Sequence, residues 1–203
     1  MEAIESKQNH RHFILHKPFG YLSQFKLLTN KKVQLLGSLY DFPQNTMAIG
    51  RLDKDSEGLL LLTTNGKTSH YIQSQKVEKE YYVQVDGNIT DEALSQLEAG
   101  VSLSHESHIY QSLPCIAKRL NHNPGFLPRT KKIRDERHGP TSWASIILRE
   151  GKFRQVRKMT AVVGFPTLRL MRVRIGGIFL NQLAAGEVLE IDDLQNEVTQ
   201  NNK

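Results

Sequence analysis

The stretch Gly50-Arg51-Leu52-Asp53-Lys54-Asp55-Ser56-Glu57-Gly58-Leu59-Leu60-Leu61-Leu62-Thr63 decides how the rest of the chain is read. Ile49 to Leu52 and Leu59 to Thr63 look like two short buried strands, being apolar runs too short for helices. The polar loop Asp53 to Gly58 lies between them. One strand thus delivers Arg51 and Asp53 to its end, and a glycine returns the chain into the second. A carboxylate held at a strand end beside apolar walls suits a nucleophile or a general base. Asp55 and Glu57 follow closely, so a hydrolase using paired carboxylates is one reading. An Asx-type turn, in which Asp53 merely accepts hydrogen bonds from nearby amides, is another.

Working outward, His12 to His16 reads as a short strand, and Lys17-Pro18-Phe19-Gly20-Tyr21 as a turn. Asn65 can cap a helix running to about Gln75. Tyr81, Val83 and Val85 alternate with Tyr82, Gln84 and Asp86, as in a strand. Thr90 to Ala99 reads as a helix with Thr90 as its cap and Gly100 beyond its end. Ile109 to Ala117 and Trp143 to Leu148 read as further strands. Asn121 to Pro140, rich in proline and basic residues, is an irregular loop. Gln155 to Val163 fits a helix stopped by Gly164 and Pro166. Leu168 to Ile175 alternates so that one face is partly basic, and Val188 to Ile191 closes the set. Strands of antiparallel type with interspersed helices give an α+β class. The expected organisation is one domain over residues 12–192, with subdomains of about 12–76 and 77–192. Residues 1–11 and 193–203 are expected to be flexible tails.

The 203 residues carry 27 Lys+Arg, 21 Asp+Glu and one cysteine. That length buries a core without disulfide or metal support, and Cys115 has no internal partner for a disulfide. No run approaches the ~20 apolar residues of a membrane span, and none follows the polar N-terminus as a signal peptide would. A soluble, cytoplasmic, monomeric protein is expected. The charge is uneven: Ile116 to Arg174 holds 15 Lys+Arg and 3 Asp+Glu, a net +12, leaving −6 for the remainder. Mostly arginine and interleaved with Phe126, Trp143 and Phe153, this segment suits nucleic acid better than a merely solvated surface.

Two further strings carry candidate chemistry. Glu150-Gly151-Lys152-Phe153-Arg154-Gln155-Val156-Arg157-Lys158-Met159 places Lys152 and Val156 four residues apart, with Arg154, Arg157 and Lys158 on neighbouring faces. Basic side chains at a helix start suit phosphate, although a solvated helix face would look alike. Lys79-Glu80-Tyr81-Tyr82-Val83 offers a strand tyrosine, a residue that usually packs. The eight histidines form no HExxH pair, and no GxxxxGK[ST] or GxGxxG loop is present, so zinc and nucleotide cofactors lack a motif.

In order along the chain, His16-Lys17-Pro18 with Gly20, Gly50-Arg51-Leu52-Asp53 with Gly58 to Thr63, Lys79-x-Tyr81-x-Val83, and Glu150 to Met159 continuing to Gly164-Phe165-Pro166 resemble the signatures of bacterial ribosomal RNA pseudouridine synthases. Within them they are most similar to the A-type branch, which takes its name from enzymes of the small ribosomal subunit. The resemblance spans residues 12 to 191. It implies a pseudouridine synthase fold: a mixed, mostly antiparallel sheet with flanking helices and two subdomains around one cleft. Members often carry an S4-type RNA-binding domain before the first motif; only 15 residues precede His16 here, so none is expected. Pro128-Arg129 through Arg137, then Pro140 to Trp143, is similar to the E-type subgroup, which acts on 23S ribosomal RNA.

The resemblance assigns roles. Asp53 is the catalyst that helps detach uracil from ribose so that it rejoins through C5. Tyr81 stacks on the flipped base, Lys152 pairs with Asp53, Val156 packs against the ring, and Arg51 fills the gap left by the base or holds its phosphate. Lys17, Arg129, Lys131, Lys132, Arg134, Arg154, Arg157 and Lys158 are the expected RNA contacts. The reaction needs neither redox nor energy input, so no cofactor and no metal are expected. The expected partner is ribosomal RNA, 23S rather than 16S, free or in an assembly intermediate of the large ribosomal particle. The rival is a non-catalytic RNA-binding assembly factor on the same fold.

Overall fold

A computed structural model describes residues 10–26, 32–74, 77–105 and 108–200. In chain order the strands and helices are β1 (His12–Lys17), β2 (Tyr21–Leu22), β3 (Gln34–Leu35), β4 (Met47–Ile49), β5 (Glu57–Thr63), α1 (Gly66–Ser74), β6 (Lys79–Asp86), α2 (Asp91–Ala99), β7 (Ser102–His105), β8 (His108–Gln111), β9 (Ile116–Leu120), β10 (Thr141–Leu148), α3 (Gln155–Val162), β11 (Thr167–Ile175), β12 (Ile178–Phe179), β13 (Val188–Ile191) and α4 (Leu194–Thr199).

Most strands join one nine-stranded sheet ordered β13-β1-β5-β11-β6-β10-β9, with β4 on β5 and β12 on β11. All its pairings are antiparallel except β5 with β11. The run of leucines in β5 is buried throughout. Leu59 and Leu61 face one apolar cluster with Ile14, Ile72 and Met171, whereas Leu60 and Leu62 face another with Phe13, Leu15 and Leu36. A strand covered on both faces reads as an unbroken apolar run. In β6, Tyr81, Val83 and Val85 enter a third cluster with α2, α3 and β10.

Strand β11 is the seam between the halves. Its parallel pairing with β5 is confined to Met171 with Glu57 and Arg172 with Gly58. A Cβ at position 58 would collide with the backbone of Arg172, so the approach of the two strands requires glycine there, and its φ of +102° lies where other residues are strained. Beyond this contact the strands part. Leu61 of β5 and Ile175 of β11 both line a cleft of about 1120 Å³.

The chain does not divide at 76/77 as neatly as expected. Strand β13 pairs with β1, and α4 packs on α1, so the C-terminal end returns to the first half. The tail expected from 193 is a correction too. Asp193 caps α4 by accepting from the Asn196 amide at 3.1 Å, and Leu194 and Val198 are fully buried. Two apolar residues four apart bury one stripe of a short helix, which the surrounding Gln and Asn content disguises. Residues 1–9 and 201–203 of the expected tails lie outside the described residues. The strand expected over Ile109 to Ala117 is two strands, β8 and β9, separated around Pro114.

Candidate active site at the seam of the sheet

The loop between β4 and β5 is pinned on several sides. Ser23 Oγ donates to the Leu52 carbonyl at 2.8 Å and accepts from the Leu52 amide at 3.0 Å. The Gly20 amide donates to the Lys54 carbonyl at 2.8 Å, and the Ser56 amide closes a turn on the Asp53 carbonyl at 3.0 Å. The segment from Gly20 to Ser23, which follows β1, is therefore scaffold for the Asp53 loop. Lys17 is fully buried and its Nζ donates to the Pro18 and Tyr21 carbonyls at 2.9 and 2.8 Å. Burial pushes its pKa down to about 7 against the pull of Glu57, Asp55 and Asp53. This corrects the expectation that Lys17 touches RNA: its amine is taken up by backbone carbonyls and it is not among the residues lining the cleft.

The three acids of the loop have different fates. Glu57 is buried and bidentate with Arg169 at 3.0 and 2.8 Å, with Arg129 4.0 Å away. Asp55 accepts two hydrogen bonds from Arg154, both at 2.9 Å. Partial burial works to raise its pKa, but those bonds, with the charges of Arg157 and Arg154, hold it below the usual range. The Asp53 carboxylate, with 24% of the side chain exposed, accepts no hydrogen bond among the described residues; Arg154 Nη1 stands 3.6 Å from its Oδ2. Burial raises its pKa, opposed by Arg154 and Arg157 and assisted by Asp55. The Asx turn is thus not formed, and a hydrolase would lack a second free carboxylate.

The cation beside Asp53 is Arg154, not Lys152, which corrects the expected pair. Arg154 takes the left-handed conformation, φ +51° and ψ +33°, immediately before α3, and so turns its side chain to the acids. Lys152 is exposed on the cleft wall with its Nζ 6.0 Å from the centre of the Tyr110 ring. Its amide donates to Gln155 Oε1 at 2.9 Å, and the Gln155 amide nitrogen bonds Glu150, so the loop before α3 is fastened to the helix. Nothing in the local sequence signals a left-handed arginine, so the sequence alone offers Arg154 only as an RNA contact.

The cleft brings together Arg51, Asp53, Tyr81, Lys152, Arg154 and Val156. Tyr81 and Val156 are buried, and with Leu170 they supply apolar lining to the cleft that holds Asp53. Arg51 is exposed at the rim. Arg157 reaches the Asp55 carbonyl at 2.7 Å and Ser56 Oγ at 3.2 Å, bracing the loop rather than standing free. Lys158 donates to the Ser104 carbonyl at 2.8 Å.

Two more expected RNA contacts are corrected. Arg129 is packed inside, its guanidinium 4.5 Å from the centre of the Phe19 ring and bonded to the Lys131 and Leu168 carbonyls. Arg134 forms a bidentate pair with Asp86 and reaches the Pro140 carbonyl. Both tie the loop 121–140 to the sheet, while Lys131 and Lys132 remain exposed. The partly basic face expected on β11 is also internal: Arg169 pairs with Glu57, Arg172 donates to the Leu59 carbonyl at 2.7 Å, and Arg174 binds Glu80 and Glu78 at 3.0 and 3.1 Å. Among the described residues no three His, Cys, Asp or Glu side chains are grouped to hold a metal ion, and no helix is long and apolar enough to cross a membrane.

The strand expected over Ile49 to Leu52 ends at Ile49, so Arg51 and Asp53 stand in the loop before β5 rather than at a strand end. A half-buried carboxylate there, in a cleft lined by a tyrosine and by basic side chains, suits an enzyme acting on a base. Residues 11–162 match the family described as RNA pseudouridylate synthase, and the chain belongs to that family. It is 40% identical over 182 residues to the ribosomal large subunit pseudouridine synthase E of Xanthomonas campestris, covering 89% of this chain and 94% of that one. Against the protein of that name from Vibrio parahaemolyticus it is 38% identical, covering 91% and 75%. A solved pseudouridylate synthase superposes with a TM-score of 0.71 at 25% identity, over 93% of this chain and 72% of that one. The α+β fold with two halves around one cleft is that of the family, and the protein is an RNA-modifying isomerase.

Proposed function

We propose that the chain converts one uridine of 23S ribosomal RNA to pseudouridine in the cytoplasm, with Asp53 as the catalytic carboxylate. The observation that carries this is the contrast on one turn: Asp55 takes the arginine hydrogen bonds and Asp53 is left open in the cleft. A uridine within a helix is out of reach and must be everted, at a cost of a few kcal/mol offset by stacking and phosphate contacts. Tyr81 and Val156 take the ring between them, and Arg51 and Lys152, exposed at the cleft, receive the flanking phosphates. Arg154 keeps Asp53 ionised against the pull of burial. The large-subunit preference rests on the relatives that bear that name.

Pseudouridine mapping of ribosomal RNA from a strain lacking this chain tests the proposal. One 23S position should lose its modification, and the purified protein should restore it on that RNA. Loss from 16S RNA would overturn the substrate, and loss of none would overturn the activity.

A further inference from the structure

Two cations on the floor of the cleft have no part in the chemistry described so far. Arg172 on β11 and Tyr81 on β6 are direct cross-strand partners, so their side chains leave the same face of the sheet, and Lys79, two residues before Tyr81, shares it. All three line the cleft. Arg169 and Arg174, on the same strand, are each matched to carboxylates. Arg172 has no carboxylate within 4.0 Å among the described residues; it is 4% exposed, and its Nη2 is buried without a hydrogen-bond partner. Among the described residues Lys79 donates to the Val77 and Arg149 carbonyls, at 2.8 and 3.5 Å, and to no carboxylate. Burial and the charge of Arg172 push its pKa down to about 8. A buried donor left open, beside a second cation without an acid, is costly unless a ligand supplies the acceptor.

We propose that Arg172, assisted by Lys79, is a catalytic donor that takes up the negative charge developing on the uracil when it leaves its ribose. The inference rests on the isomerase reading. When the C1′–N1 bond breaks, its electron pair passes to N1 and spreads onto the two ring carbonyl oxygens, and C1′ bonds to the Asp53 carboxylate. The ring then turns, C5 bonds to C1′ as Asp53 departs, the C5 proton leaves, and N1 gains a proton. The base is anionic only between these steps. An arginine N–H donating to a ring carbonyl, as the open Nη2 of Arg172 would, binds that anion more tightly than the neutral substrate, which is what accelerates the step. Asp53 and Arg172 thus serve opposite ends of one bond, the acid at the sugar and the arginine at the base.

Single-turnover rates of C1′–N1 cleavage, read as loss of the N-linked nucleoside, on RNA carrying uridine or 5-fluorouridine at the target position test this, since the fluorinated base can detach and rejoin but has no C5 proton to lose. Fluorine stabilises the detached base, which then needs less help. Arg172→Met should slow the uridine substrate about 100-fold and the fluorinated one about 10-fold, and Arg172→Lys should recover part of the uridine loss. Lys79→Met should show the same bias with a smaller loss. Equal losses on both substrates, or none, would overturn the proposal and reduce Arg172 to a packing residue. If Arg172→Met does not fold by thermal melting, Arg172→Lys and Lys79→Met decide by the same criterion. Failure of the wild-type protein to convert the uridine RNA to pseudouridine would instead remove the isomerase reading itself.

Discussion

The turn carrying Asp53 and the long loop from residue 121 to 140 meet their arginines in opposite ways. In the turn, Arg154 and Arg157 come from α3 and the residue before it and grip Asp55 and its backbone, and the carboxylate two residues earlier is left open. In the loop, Arg129 and Arg134 point inward to Phe19 and Asp86, and the exposed charge falls to Lys131 and Lys132. Arginine supplies fixed forks that lock irregular backbone to the fold, whereas lysine keeps a mobile charge for solvent or a ligand. The +12 of residues 116–174 therefore overstates the positive surface. Arg129, Arg134, Arg169, Arg172 and Arg174 all bond within the fold.

This contrast can be broken at graded cost. Arg169→Met leaves Glu57 charged and buried, and urea unfolding should show a loss of about 3–5 kcal/mol. Retained stability would mean the pair does not hold the seam. Arg154→Ala frees Asp55 and unpins the turn, and the single-turnover rate should fall on the order of 100-fold. Because only the ionised Asp53 acts and Arg154 lowers its pKa, the rise of rate with pH should move to higher pH in this variant. A limb that stays in place or moves down would separate Arg154 from Asp53.

Lys17 sharpens the scaffold side of the comparison. Its folded pKa lies near 7, below the ordinary 10.5, so between those values the unfolded chain binds more protons and stability rises with pH. Burial of the cation is costly below that window and harmless above it. Unfolding at several pH values should show this slope, about 1 kcal/mol per pH unit, flattened in Lys17→Met, with RNA affinity unchanged. A loss of affinity with unchanged stability would return Lys17 to the RNA surface. The smallest effect is at Lys131→Ala with Lys132→Ala: turnover at saturating RNA should hold, while the salt dependence of binding weakens by a slope of about 1.5. An unchanged slope would place the loop off the RNA.

Much of the fold is legible in the sequence because its elements have strong local signals. Thr90 caps α2 by accepting from the Ala93 amide, as its position before Asp91 and Glu92 implies, and Asn65 caps α1 likewise. The alternation in β6 and the leucine run in β5 mark their strands. Relations between residues far apart in sequence are not legible. That Arg172 faces Tyr81, that Gly58 must be small for β11, and that β13 and α4 return to β1 and α1 are facts of pairing, which no local period encodes. At the site, the resemblance of the motifs to a known family names Asp53, Tyr81 and Val156 as a set, but it does not name the residue that stands beside Asp53. Choosing Arg154 over Lys152 depends on one left-handed backbone conformation.

The most direct measurement replaces the open carboxylate by its neutral isostere. In a strain whose sole copy carries Asp53→Asn, the target uridine should remain unmodified, while the purified variant binds the same RNA within about twofold of wild type, since the substitution keeps shape and removes only charge. Modification at the wild-type level would show that the chemistry is carried by another residue.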